Sequence, residues 1–189
     1  MKMTLAEALN NQMLIEQISL QLGFPTQTAT KLTALKMSYR KIEKAYQEDI
    51  QEALKCIKPE GFDERFRKAM RFRDIENRAK LLEEWNGEGE KPNAPTEEEL
   101  KEAEEIRPMM DDFLKEEYDM NVQMNDIIAN MRKGEIEVPD TTLTWAEWGH
   151  IYDAIGIEGD MSDIKNSRTG TPIKKELFLE MLAESFIKE

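Results

Sequence analysis

Apolar residues between Thr26 and Ile57 recur at steps of three and four: Leu32, Leu35, Tyr39, Ile42 and Tyr46, then Ile50, Ala53, Leu54 and Ile57. That period sets them on one stripe of a helix. The step of four from Tyr46 to Ile50 slips the heptad, so local unwinding is expected rather than one unbroken coiled-coil seam. A helix of this span runs about 48 Å at 1.5 Å per residue and needs a partner along most of its length. Upstream, the capping box Thr4-Leu5-Ala6-Glu7 opens a shorter helix whose apolar positions are Leu5, Leu9, Met13 and Ile18, with Gly23 as its stop. Downstream, Lys58-Pro59-Glu60-Gly61 breaks the chain. Phe62, Phe66, Ala69, Phe72, Ile75, Ala79, Leu82 and Trp85 then define an amphipathic helix. So short a link predicts that it returns antiparallel along the central helix.

The run from Asn86 to Pro95 reads as a mobile loop, with 86–96 as its expected span. Thr96-Glu97-Glu98-Glu99 caps the next helix, whose face is Leu100, Ala103 and Ile106 until Pro108 forces a kink or a restart. The pattern resumes through Met110, Phe113, Leu114, Met124, Ile127, Ile128 and Met131, with Gly134 closing it. Glu135 to Pro139 alternates and ends in proline, which predicts an extended segment, at most an edge strand. A third capping box, Thr144-Trp145-Ala146-Glu147, starts a short helix bearing Trp148, Ile151, Tyr152 and Ile155, ended by Gly156. After a polar stretch from Glu158 to Gly170, Thr171-Pro172 predicts the start of a last helix bearing Ile173, Leu177, Met181, Leu182 and Phe186. The fold class is therefore all-α: an elongated antiparallel bundle or coiled-coil hairpin over 1–134, followed by a small C-terminal helical module over 135–189.

Charge changes the picture. The 189 residues carry a formal net charge of −13, divided unevenly. Residues 1–80 hold 15 Lys/Arg against 11 Asp/Glu, a net +4, and the rest hold 11 against 28, a net −17. Arg65, Arg67, Lys68, Arg71, Arg73, Arg78 and Lys80 form the one basic row. Arg65, Lys68, Arg71 and Arg73 are the candidates for phosphate contact if the chain binds nucleic acid. The competing expectation is that they pair with acids of the 97–132 segment, which makes nucleic acid the less favoured partner.

Catalytic signatures fail on inventory. His150 is the sole histidine and Cys56 the sole cysteine, so neither a Cys/His zinc site nor an internal disulfide can form within one chain. No phosphate loop, dinucleotide-binding turn or nucleophile elbow is present. Glu147 and His150 give a single Glu-x-x-His, half of a di-iron motif that needs two. The acid pairs Asp111-Asp112 and Glu116-Glu117 lack the loop oxygens calcium requires, and Asp160-Met161-Ser162-Asp163 departs from the EF-hand pattern. The expectation is a non-enzyme without metal or cofactor. No apolar run approaches ~18 residues, and the first residues carry an acid where a signal peptide needs an apolar core. The expected location is inside a cell, or in a particle made there.

Of the 12 methionines, Met109, Met110, Met120, Met124 and Met131 fall in one helix. Flexible thioethers and aromatic anchors are over-used at interfaces, which nominates Met124, Ile128, Met131, Trp145 and Trp148 as contact residues. Two stretches also carry a likeness. Pro25-Thr26-Gln27-Thr28-Ala29-Thr30-Lys31-Leu32 resembles the opening of small helical proteins of unknown function encoded by tailed bacteriophages. Asn121 to Ile128, leading into Glu135-Ile136-Glu137-Val138-Pro139, is similar to their return helix and extended tail. The likeness covers about half the chain, omitting 58–110 and the final helices. It implies a phage setting and a helical hairpin, and it supplies no catalytic residues. The functional expectation is a non-enzymatic phage structural or assembly subunit, held by protein–protein contacts in a homo- or hetero-oligomeric virion or virion-assembly complex, with a virion or the host cytoplasm as its location. The alternatives are an acidic adaptor or inhibitor of a host protein, and the nucleic-acid protein above.

Overall fold

The computed structural model describes residues 1–138, 140, 142–166 and 169–187. The fold is mostly α-helical, with short two-stranded sheets. Contacts divide the chain into two compact units, Met1–Gln51 with Ile128–Glu189, and Glu52–Ile127. The first unit brings the N-terminal segment together with the C-terminal one.

In the first unit, β1 (Lys2–Thr4) pairs antiparallel with β2 (Glu135–Glu137), Met3 opposite Ile136. The extended segment is thus an edge strand in a pair, while Pro139, its expected end, lies outside the described residues. Helix α1 (Leu5–Glu16) begins on the Thr4–Glu7 capping box. It ends at Glu16, seven residues before Gly23, which instead follows a short 3-10 turn at Leu20–Leu22. Its buried face is Leu5, Ala8, Asn11, Leu14 and Ile15, whereas Met13 is exposed. The expected face was drawn through the largest side chains. The core takes the small Ala8 and the polar Asn11 because the Asn11 amide donates to the Tyr39 hydroxyl at 3.4 Å.

Helix α2 (Thr26–Ile57) has the expected bounds, with Leu32, Leu35, Tyr39 and Tyr46 buried and Ile42 half-buried. Leu32, Leu35 and Tyr39 join Leu14, Ile15 and Ile18 in the core of this unit. Helix α6 (Trp145–Ile155) contributes Ile151, and Tyr39 meets the Phe186 ring edge-on at 5.7 Å.

The polar stretch holds a strand absent from the sequence reading. β3 (Asp160–Lys165) pairs antiparallel with β4 (Pro172–Lys174), and residues 167 and 168 between them lie outside the described residues. The register shifts between Met161 and Lys165, and Met161 and Ile164 are both buried. An irregular strand of this kind loses the alternation that would betray it. Thr171-Pro172 therefore does not start a helix: proline sits in a two-stranded edge, where its missing N–H costs no ladder bond. Helix α7 (Lys175–Phe186) starts three residues later and buries Phe178, Leu179, Leu182 and Phe186, leaving Leu177 exposed.

In the second unit, α3 (Phe62–Glu84) starts after Gly61, whose φ of 70° is readily adopted only by glycine. Its apolar face meets α4 (Glu97–Ile106) and the start of α5 (Met110–Lys133). Phe62, Ala69, Ile106, Met110 and Phe113 form this core, with the Phe62 and Phe113 rings 5.6 Å apart. The Thr96–Glu99 capping box opens α4, and Pro108 lies in a 3-10 turn at Arg107–Met109, so the chain restarts rather than kinks. Of α5, only Met110 and Phe113 are buried, and Leu114 faces solvent.

Candidate interaction surfaces

The basic row lies against carboxylates. Arg65 makes a two-pronged contact with Glu116, at 2.9 Å from Nε and 2.7 Å from Nη2. Arg73 reaches Glu117 at 2.8 Å, and Arg71 reaches Glu99 and Glu102 at 2.8 and 3.2 Å. Arg78 adds Glu99 and Asp74, while Lys68 pairs with Glu64 one turn earlier. Glu99 is the hub, since its carboxylate also accepts the Thr96 amide as the third residue of the capping box. The Arg78 guanidinium foremost, then that amide and Arg71, hold its pKa down at about 2. A phosphate approaching Arg65, Arg71 or Arg73 would have to displace a carboxylate already placed there. Lys68 is the most open of the four candidates.

Glu147 and His150 both turn toward α2. Glu147 is 4% exposed, and its Oε2 accepts from Lys31 Nζ at 2.7 Å and from the Thr144 amide at 2.7 Å. Its other oxygen is buried without a partner. Burial pushes this carboxyl up, but Lys31 and the Thr144 amide and hydroxyl outweigh it and hold the pKa below the ordinary value. His150 Nδ1 shares a hydrogen bond with Thr28 Oγ1 at 2.9 Å. These two residues fasten α6 to the start of α2. No group of three or more His, Cys, Asp or Glu gathers for a metal ion among the described residues.

A second buried charge escaped the sequence reading. Lys36 on α2 donates to the carbonyls of Ile18 at 2.6 Å and Glu16 at 3.2 Å, so it caps the free carbonyl end of α1. Burial drives its pKa down, with Arg40 adding and Glu16 opposing. The signal available in the sequence was a lysine beside Leu35 on the apolar stripe. Lys36 and Arg40 line an open cleft of about 920 Å³ with Leu20, Leu22, Met37 and Ile155. Arg40 is held by Glu16, and Lys175 in the same cleft donates to the Ile155 carbonyl at 3.2 Å. The lysines and arginine of this cleft are therefore already engaged, and none is presented to an anionic ligand.

The nominated contact residues differ among themselves. Trp145 is 60% exposed at the first turn of α6. Trp148 behind it is half-buried, its indole N–H donating to the Leu179 carbonyl at 3.3 Å. The Trp145 and Trp148 rings meet edge-on at 5.8 Å, and Trp148 lies on Tyr152 at 5.1 Å. Met124, Ile128 and Met131 are half-buried along α5. The large exposed apolar residues of that helix are others: Leu114, Tyr118 and Val122.

The chain matches no family model, no curated protein and no solved structure. No helix among the described residues is long and apolar enough to cross a membrane.

Proposed function

We propose that the chain is a non-enzymatic assembly component, a helical subunit held in a larger complex by protein–protein contacts. The resemblance to tailed-phage helical proteins supports a virion or a virion-assembly complex as that setting. The observation that carries the reading is Trp145. An indole 60% exposed and backed by a packed Trp148–Tyr152 pair is a large, rigid anchor of the kind that dominates interface energies. The engagement of Arg65, Arg71 and Arg73 by carboxylates weighs against nucleic acid as the partner.

The test replaces Trp145 by Ala, a surface change that leaves the Trp148 anchor in place. Wild-type protein is expected in purified particles or assembly intermediates at fixed stoichiometry, with Trp145→Ala losing most of that occupancy. A wild-type chain that stays a lone monomer, absent from particles, overturns the reading. The acidic adaptor would then take its place, favoured by the α5 carboxylates that lack ion-pair partners.

A further inference from the structure

The outer side of α5 carries an apolar stripe that nothing covers. Leu114, Tyr118 and Val122 stand at steps of four and are 44%, 67% and 41% exposed. At 3.6 residues per turn they span an arc of about 80° and a length of about 12 Å, two helical turns. The inward face of the same helix is already used by Met110 and Phe113. The three side chains leave a large share of their surface in water, apolar area that a partner could still bury. On α3, further large apolar residues reach solvent. Phe66 and Met70 are exposed one turn apart, and Arg73 Nη1 lies 4.0 Å from Met70 Sδ. Its other terminal nitrogen reaches Glu117, which borders Leu114 on the helix surface.

Charge around the stripe is mostly acidic. From Met110 to Asp126 the helix bears six acids, Asp111, Asp112, Glu116, Glu117, Asp119 and Asp126, against Lys115 alone. Glu116 and Glu117 are neutralised by Arg65 and Arg73. Asp111, Asp112, Asp119 and Asp126 have no ion-pair partner among the described residues. On the helix, Asp111 heads the stripe while Asp119 and Asp126 flank its Val122 side, with Lys115 the one cation on that flank.

We propose that this face docks a basic amphipathic helix of another protein. Apolar residues of such a helix at steps of three and four would cover the two-turn stripe, and its Lys or Arg flanks would meet Asp111, Asp119 and Asp126. A second copy of this chain fits less well, since the same acids would face each other across the two-fold axis of a dimer. The face goes beyond the assembly reading and does not involve Trp145.

The experiment uses the full chain and two blocked synthetic peptides of roughly 18 residues, long enough to form helix on binding. Both have the same Leu and Lys content; one gathers the leucines on one face, and the other scatters them. Titration calorimetry should show binding of the facial peptide, about tenfold or more weaker for Tyr118→Ala, a loss typical of truncating an aromatic anchor. The Asp119→Asn, Asp126→Asn double variant should bind more weakly and with a flatter salt dependence. Trp145→Ala should bind like wild type. Equal binding of the scattered peptide, or an unchanged affinity for Tyr118→Ala, overturns the proposal. So does a wild-type dimer that Tyr118→Ala dissociates, which makes a second copy the occupant. A negative result with Trp145-dependent assembly intact removes this face alone; the converse removes the assembly reading alone.

Discussion

Removing the Glu147 carboxylate should destabilise the first unit by about 2–3 kcal/mol. Two contributions add. Glu147 closes a capping box by accepting the Thr144 amide, and losing one side of such a box costs about 1 kcal/mol. It also pairs with Lys31 at 2.7 Å. Stripping one member from a fully buried pair costs ~3–5 kcal/mol because the other charge is stranded. Lys31 is 28% exposed, so its ammonium re-enters water and the loss falls to about 1–2 kcal/mol. Glu147→Gln keeps an oxygen for the Thr144 amide and gives up the charge, so it should cost about half as much as Glu147→Ala. The assay is urea unfolding followed by tryptophan fluorescence, since Trp145 and Trp148 flank the site. Pairing with Lys31→Met in a double-mutant cycle should give a coupling of about 1 kcal/mol. The sign with pH is fixed by the direction of the shift. A carboxyl held below its unfolded value stabilises above that value and loses the contribution as pH falls through the folded one. The gap between wild type and Glu147→Gln should therefore close on acidification below about pH 4. A Glu147→Ala cost under ~0.5 kcal/mol, the range of an ordinary surface change, would refute the reasoning, as would a Gln variant worse than Ala.

Leu35 is 1% exposed within the first core, so Leu35→Asp should abolish cooperative unfolding or cost several kcal/mol, and an unchanged melting temperature would show the stripe to be unburied. Glu99, with a folded pKa of about 2 against an ordinary 4.5, contributes stability present above the unfolded value and lost between there and about pH 2. Glu99→Gln should accordingly flatten the acid limb of the stability curve of the second unit, and an acid limb identical to wild type would remove Glu99 from its role as hub.

The three capping boxes, the bounds of α2 and the restart at Pro108 were legible in the sequence because each is a local rule acting over four residues or one period. The faces of α1 and α7 were legible only in part: Leu5, Leu182 and Phe186 turn inward as their spacing predicts, whereas Ala8, Asn11, Phe178 and Leu179 lie off that spacing. Ala8 and Asn11 turn inward because of what meets them, Tyr39 in the case of Asn11, and no spacing within α1 announces Tyr39. Strand β3 was hidden by its own irregularity, which breaks the alternation of inward residues. The pairing of Arg65, Arg71 and Arg73 followed from counting charge, whereas the role of Lys36 needed the end of α1 beside it. Of the nominated contact residues, Trp145 stands out in solvent. The exposed stripe of α5 was missed because Leu114 was counted inward with Phe113, one residue away and on a different side.

The division of the chain has a consequence for synthesis on the ribosome. The second unit is closed by residues at most a few dozen positions apart, as with Arg65 and Glu116 or Arg78 and Glu99, so it can form once α5 has emerged. The first unit has to wait. Tyr39 gains its Phe186 neighbour, and the shared core its Phe178, Leu179 and Leu182, only when α7 is released. Until then the core that α1 and α2 share is incomplete, and its apolar residues are what a holding chaperone would meet. A premature stop before Phe178 would leave every residue of α2 in place and still deprive its core of Phe178, Leu179, Leu182 and Phe186, so nonsense changes late in the gene should act as early ones do.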